Sequence, residues 1–263
     1  MKFFKKLLVA AAVTAAMASA AQAAIVNVGG VTWDTNATNI TDSDFTGRFN
    51  FNQFFTKGAN AVADTDNAAA NYANAINPTS VVLGDVLQGV GEVNSFNGVT
   101  LDPSLTGGGF CASCELTFTF GGFTVIGEDT LSNGWLRLYV DSTPDFKIST
   151  SLAADAADGT LFLELRGVAN DFTTSGGFSS GSLFNYFEVT GGIAADYFNT
   201  NTQLFGTDLL SGASATFGAN QVIATSTGQI FGDSVAVPEP ASLALLGLGF
   251  AGLAAFRRRK AVK

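Results

Sequence analysis

The sequence predicts an all-β protein: an antiparallel β-sandwich of jelly-roll-like topology with short helices, set between an N-terminal signal helix and a single C-terminal transmembrane helix. Three observations predict it. Several segments alternate apolar with polar residues at period two, glycine pairs and triplets fall between them, and only two short stretches carry a helical pattern. Many short strands with turn signals and few helices suit a two-sheet fold. A β-helix is the second choice, disfavoured because no internal repeat is visible.

The first element is a leader. Lys2, Lys5 and Lys6 precede the apolar stretch Leu7–Ala18 and the triplet Ala21-Gln22-Ala23. A positive start, an apolar middle and a small-residue triplet make a secretory signal peptide, with the cut expected after Ala23 and a mature chain starting at Ala24. Residues 1–23 therefore stand apart from a body at 24–234 and a C-terminal segment at 235–263.

In the body, Leu116, Phe118 and Phe120 alternate with Thr117 and Thr119, and Leu136, Leu138 and Val140 alternate with Trp135, Arg137 and Tyr139. Leu161, Leu163 and Leu165 alternate in the same way with Phe162, Glu164 and Arg166. Each run reads as a strand with one buried face. The segments 184–190 and 221–225 are short, β-branched or aromatic, and bounded by glycine or polar residues, so they join the list. Gly29-Gly30, Gly107-Gly108-Gly109, Gly121-Gly122, Gly176-Gly177 and Gly191-Gly192 read as turns. None opens a helix, so no phosphate-cradling loop is supported. The two helical stretches are 66–76 and 192–198, both read as surface connections.

The last element begins at Val237-Pro238-Glu239-Pro240, continues as the apolar run Ala241–Phe256 and ends in Arg257-Arg258-Arg259-Lys260. As a helix that run spans about 24 Å, short of the roughly 30 Å hydrocarbon core, so it is a marginal anchor. Its basic cluster stays cytoplasmic by the positive-inside rule, which puts the body on the far side of the membrane. The signal peptide sends it to the same place.

Charge narrows the function classes. Between Ala24 and Val237, 21 acidic side chains stand against five basic ones, a net charge of −16. Such a surface repels nucleic acid and anionic lipid and attracts divalent cations. The chain has 24 Phe and is 47% hydrophobic, too apolar for an acidic disordered tail, so the body folds. It has no His at all, which removes the usual general base of serine and cysteine hydrolases and the usual zinc ligand. The protein is expected not to be an enzyme. The chemistry left open is a carboxylate pair of the glycosidase kind, for which Glu115, Glu128, Glu164 and Glu188 are the candidates, against a plain reading as solvent-facing strand positions.

Cys111 and Cys114, in an exported chain, read as a local disulfide that pins the turn before Glu115. A redox pair would need a helix N-terminus, and zinc would need further ligands. No cofactor or metal is expected. Calcium is the one ion that the acidic loops would suit, at Asp42 and Asp44, Asp64 and Asp66, and Asp155 and Asp158; none of these matches an EF-hand, and solvated loops are the alternative. Trp135 and Tyr139 share a strand face with Arg137 and could stack sugar rings, or they pack as core; whether that face is wet decides.

The Pro238-Glu239-Pro240 triplet, the apolar run with Gly247, Gly249 and Gly252, and the Arg257–Arg259 cluster resemble the PEP-CTERM sorting signal of Gram-negative bacteria. The resemblance implies export across the inner membrane, transient anchoring by the C-terminal helix, processing by an exosortase near Pro238–Pro240, and release to the surface or into exopolysaccharide. A permanent membrane anchor is the alternative. Residues 184–203 and 110–117 look like stretches of uncharacterised exported PEP-CTERM proteins and, more distantly, of flocculation-associated ones. That likeness implies a structural protein of the cell surface or extracellular matrix, with exopolysaccharide or other surface proteins as partners and no nucleic acid. The second reading is a carbohydrate-binding module or weak glycoside-acting enzyme on the same sandwich.

Overall fold

The computed structural model describes residues 25–35, 43–62, 72–97, 99–100, 110–148, 153–175 and 177–235. The strands, in chain order, are β1 (Ile25–Val28), β2 (Val31–Asp34), β3 (Phe45–Thr56), β4 (Val86–Phe96), β5 (Val99–Thr100), β6 (Glu115–Gly127), β7 (Thr130–Leu131), β8 (Trp135–Asp141), β9 (Thr160–Thr174), β10 (Ser180–Gly191), β11 (Leu209–Thr216) and β12 (Ala224–Gly232). Eight of them, β3, β4, β6, β8, β9, β10, β11 and β12, each pair antiparallel with the next in sequence, and β12 pairs back to β3 from Ala224↔Gln53 to Gly232↔Phe45.

The architecture is therefore a closed up-and-down β-barrel, and the expected sandwich is wrong. Period-two alternation reports that each strand buries one face; it does not report whether the sheet bends round to meet itself. Closure rests on the β12–β3 pairing, which joins residues about the whole length of the body apart.

An eight-stranded barrel has an interior just wide enough for side chains to fill. Here the filling is aromatic. Phe49, Phe51, Phe118, Phe120 and Phe187 meet inside around a cavity of ≈ 60 Å³. That is far below the roughly 300–1,000 Å³ of small-molecule pockets, so the barrel is a packed core and not a cup. The rings fit because β4 presents glycine opposite them: a Cβ at Gly89 would lie 2.7 Å from Phe120, and one at Gly91 would collide with Phe118. Many outward positions on the strands, such as Arg48, Asn50, Ser182, Ser214, Thr227 and Gln229, are polar, with Phe54, Trp135, Tyr139, Phe184 and Phe231 as apolar exceptions. This is the reverse of a membrane-spanning barrel, which is apolar outside and polar within.

One end of the barrel is capped. The β1–β2 hairpin brings Trp33 to stack on Phe198 at 5.2 Å and to meet Phe96, Phe162 and Tyr197 edge-on. Phe198 closes the one α-helix among the described residues, Ala195–Phe198, within the stretch 192–198 expected to be helical. The other expected helix is not borne out in its described part, where Tyr72–Asn74 is a single 3-10 turn and Ile76 bridges to Phe55. Outside the barrel wall, residues 72–85, 142–148 and 153–158 lie over β3, β4 and β6, and a second small core forms from Val90, Phe146 and Ala156 with Tyr72 and Ile148 packed against it. Among the described residues, no such segment packs over the outer faces of β10, β11 and β12.

Among the described residues no helix is long and apolar enough to cross a membrane. The signal helix and the C-terminal run Ala241–Phe256 both lie outside them. Gly121-Gly122 is not a turn but a bulge within β6, with Gly122 at φ +76°, where the β4–β6 register shifts. The close packing over this glycine carries a direct test: Gly91→Ala should destabilise the barrel by about 1–3 kcal/mol in chemical denaturation, because the added methyl would collide with the Asn50 carbonyl and with the Phe118 ring.

Candidate functional site

The sequence candidates fall in different places. Ala21, Ala23, Ala24, Pro238, Glu239, Pro240, Arg257, Arg258 and Arg259 lie outside the described residues, as do Asp42, Asp64 and Asp66. Cys111 and Cys114 are joined as a disulfide with Cα atoms 5.1 Å apart, inside the usual range. Their turn braces the cap: the Thr32 N–H donates to the Phe110 carbonyl at 2.7 Å, and Cys114 lies against Gly30 of the hairpin turn.

Trp135 and Tyr139 share the outer face of β8, on the covered half of the barrel. They are only 7% and 2% exposed. The Arg137 guanidinium lies 4.9 Å from the Trp135 ring centroid and forms a 2.8 Å ion pair with Glu164 across the β8–β9 register. Neither ring offers a face to solvent.

The four glutamates do not converge. Glu164 pairs with Arg137, Glu128 is exposed in the turn between β6 and β7, Glu188 is exposed on β10, and Glu115 is buried at 8% exposure. Glu115 instead meets two aspartates. It opens β6 directly opposite Asp141, the last residue of β8, and Asp145 follows in the next loop; one carboxylate oxygen from each lies within 4.8 Å of the others. These are the residues that could hold a divalent cation, as hard oxygen donors. Asp158, one of the calcium candidates, is close enough to Asp141 and Asp145 for its carboxyl to be held above its usual value, mainly by burial and then by their charge. Asp141 and Asp145 escaped sequence reading because only the strand register brings them to Glu115.

Burial pushes the Glu115 carboxyl up to about 7, with Asp145 and Asp141 adding to the rise and the N–H groups of Asp145 and Phe146 pulling it down. The folded protein thus holds this proton more tightly than the unfolded chain. The contribution to stability is full below the ordinary value of 4.5 and is lost as pH rises through about 7. Thermal melts should therefore show a Tm that falls between pH 5 and pH 8, and Glu115→Gln should flatten that fall and raise the Tm at pH 8.

On the uncovered half, β10, β11, β12 and β3 frame a shallow groove of ≈ 590 Å³ lined by Arg48, Asn94, Ser182, Phe184, Gln229 and Phe231 among others. Phe184 is 45% exposed and its ring lies over Gly212. A second depression, ≈ 620 Å³, shares Ser182 and Ser214 with the first and adds hydroxyls from Thr173, Thr216, Thr225 and Ser226. Arg48 is the one charged residue in either lining, and neither contains an acid. The sequence signal for this face was weak, since its residues are the small polar ones that also populate loops.

At the capped end, the chain leaves the barrel through a set of named bonds. After β12 ends at Gly232, the Ser234 N–H donates to Asp44 Oδ1 at 2.6 Å, Trp33 Nε1–H donates to Ser234 Oγ at 3.2 Å, and the Val235 N–H donates to the Tyr197 carbonyl at 2.8 Å. The Asp44 N–H donates in turn to Asp233 Oδ1 at 3.3 Å. Burial raises the Asp44 carboxyl to about 6, with the nearby Asp233 and Asp34 adding to the rise and the Ser234 hydrogen bonds opposing it.

Residues 236–260, which begin immediately after this exit, match the family model of the PEP-CTERM protein-sorting motif. Comparison with curated proteins and with solved structures found no match. The motif indicates export, a membrane-anchored C-terminal sorting signal and sorting by an exosortase, and it speaks for the C-terminal segment rather than for the barrel's ligands. By that segment the chain is a PEP-CTERM sorting domain-containing protein.

Proposed function

We propose that the protein is a structural component of the cell surface or exopolysaccharide matrix of a Gram-negative bacterium, delivered there by exosortase processing and acting by contact rather than catalysis. The observation that carries this reading is the sorting motif fused without a spacer to a barrel whose interior is spent on packing and whose outer surface is polar and strongly anionic. With the core filled by phenylalanine rings, contact with a partner falls to the outside, and the outer faces of β10, β11 and β12, over which no described segment packs, offer a surface for it. Processing at Pro238–Pro240 removes the basic tail. Intact-mass spectrometry of the surface fraction from an exosortase-competent host should find chains without residues 257–263, and cell fractionation should find the body outside the inner membrane.

The groove favours a second reading, that of a carbohydrate-binding module. Exposed Phe184 and half-buried Phe231 supply ring faces, Arg48, Asn94 and Gln229 supply donors for sugar oxygens, and the surrounding Ser and Thr hydroxyls are compatible with a polyol chain. This places carbohydrate contact on Phe184 and Arg48 in place of Trp135 and Tyr139. Under this reading Phe184→Ala and Arg48→Ala should each weaken co-sedimentation with the host's purified exopolysaccharide severalfold while leaving the melting temperature within a few degrees of wild type. Contact with polysaccharide elsewhere on the surface, outside this groove, would leave co-sedimentation unmoved by either change.

A further inference from the structure

The exit of the chain from the barrel has a consequence for how it is processed. The three bonds on Ser234 and Val235 fix the chain to the cap up to the residue before the sorting motif. From Val235 to Pro238 is three residues, which even fully extended reach at most about 11 Å. The barrel they hang from is broad: eight strands about 4.8 Å apart and tilted by about 40° give a perimeter of roughly 50 Å, a backbone diameter of about 16 Å, before any side chain is added. An enzyme that cleaves at Pro238–Pro240 must wrap chain on both sides of the scissile bond, and within that reach it meets the wall of the cap. Opening the bonds on Asp233–Val235 would free three more residues, roughly doubling the reach to about 20 Å.

The partner at this end is a protein and not lipid. Asp34, Asp44 and Asp233 are grouped beside the exit and would be repelled by anionic headgroups. Ile25, the first described residue, pairs with Asp34, so the end of the body that follows the signal peptide emerges from the same cap. Both links to the membrane thus leave from one end, while the groove faces sideways from the barrel wall.

We propose that the Asp44–Ser234–Trp33 clasp is a catch on sorting: closed, it holds Pro238–Pro240 so near the cap that the membrane-embedded sorting enzyme is sterically hindered, and open, it lets the motif reach the enzyme. The proposal rests on exosortase processing and names the element of the body that limits it. Trp33→Phe keeps an aromatic ring beside Phe198 but removes the Nε1–H donor together with part of the indole; Asp44→Ala removes the acceptor of the Ser234 N–H.

The test is pulse–chase processing in an exosortase-competent host, read as loss of residues 257–263 over time. Trp33→Phe and Asp44→Ala should be processed severalfold faster than wild type. A flexible ten-residue Gly/Ser spacer inserted after Val235, which leaves every barrel residue intact, should accelerate processing as much, and adding Trp33→Phe to the spacer variant should bring no further gain. A spacer variant processed at the wild-type rate or slower overturns the catch, even if Asp44→Ala fails to fold. Retention of residues 257–263 in wild type and every variant overturns the processing reading itself and the catch with it.

Discussion

Closing eight antiparallel strands into a ring creates an interior that only side chains can fill, and the rest of this structure follows from how that space is used. Aromatic rings fill it, and the rings demand room on the facing strands. Gly89 and Gly91 of β4 provide it for Phe120 and Phe118, and Gly228 of β12 does the same for Phe49. Small interior residues on β11, Ser211, Ala213 and Ala215, complete the exchange of large for small around the barrel. A packed interior has little space for cargo, so the surfaces that can meet partners are the wall and the ends.

Those surfaces are not alike. Part of the wall is overlaid by residues 72–85, 142–148 and 153–158, which bury Val90 and Glu115 between barrel and cover. Over the outer faces of β10, β11 and β12 no described segment packs, and hydroxyl and amide groups surround the exposed Phe184 and half-buried Phe231 rings. Acidic groups collect at the capped end instead: Glu115 faces Asp141 across the β6–β8 ladder, and Asp44 faces Asp233 where the chain departs. Like charges at facing strand positions work against folding. Here two of them are accommodated by holding protons more tightly than usual, which ties the stability of that end to pH.

The cap brings together elements that sequence alone would treat as separate. The disulfide turn supports the hairpin, the hairpin delivers Trp33 to the aromatic cluster, and the indole N–H reaches the last fixed residues of the chain. A change at Cys111, Trp33 or Asp44 is therefore felt where the body meets its sorting signal.

Several features were legible in the residues themselves. The signal peptide and sorting segment are linear patterns of charge and apolar length, and the second of these matches its family model. The β character of the body and strands within β6, β8 and β9 followed from alternation, and the strand within β10 from its β-branched and aromatic composition, both of which are local properties of the chain. The β4 strand was hidden because glycine occupies its inward positions 89 and 91, erasing the alternation, and β11 was hidden because its inward residues are mostly small. Barrel rather than sandwich, the Glu115–Asp141–Asp145 cluster, the burial of Trp135 and the groove around Phe184 were decided only by tertiary structure. Each depends on which strand lies beside which and in what register, and such pairings between distant residues are set by the collective filling of one interior rather than by any short stretch of chain.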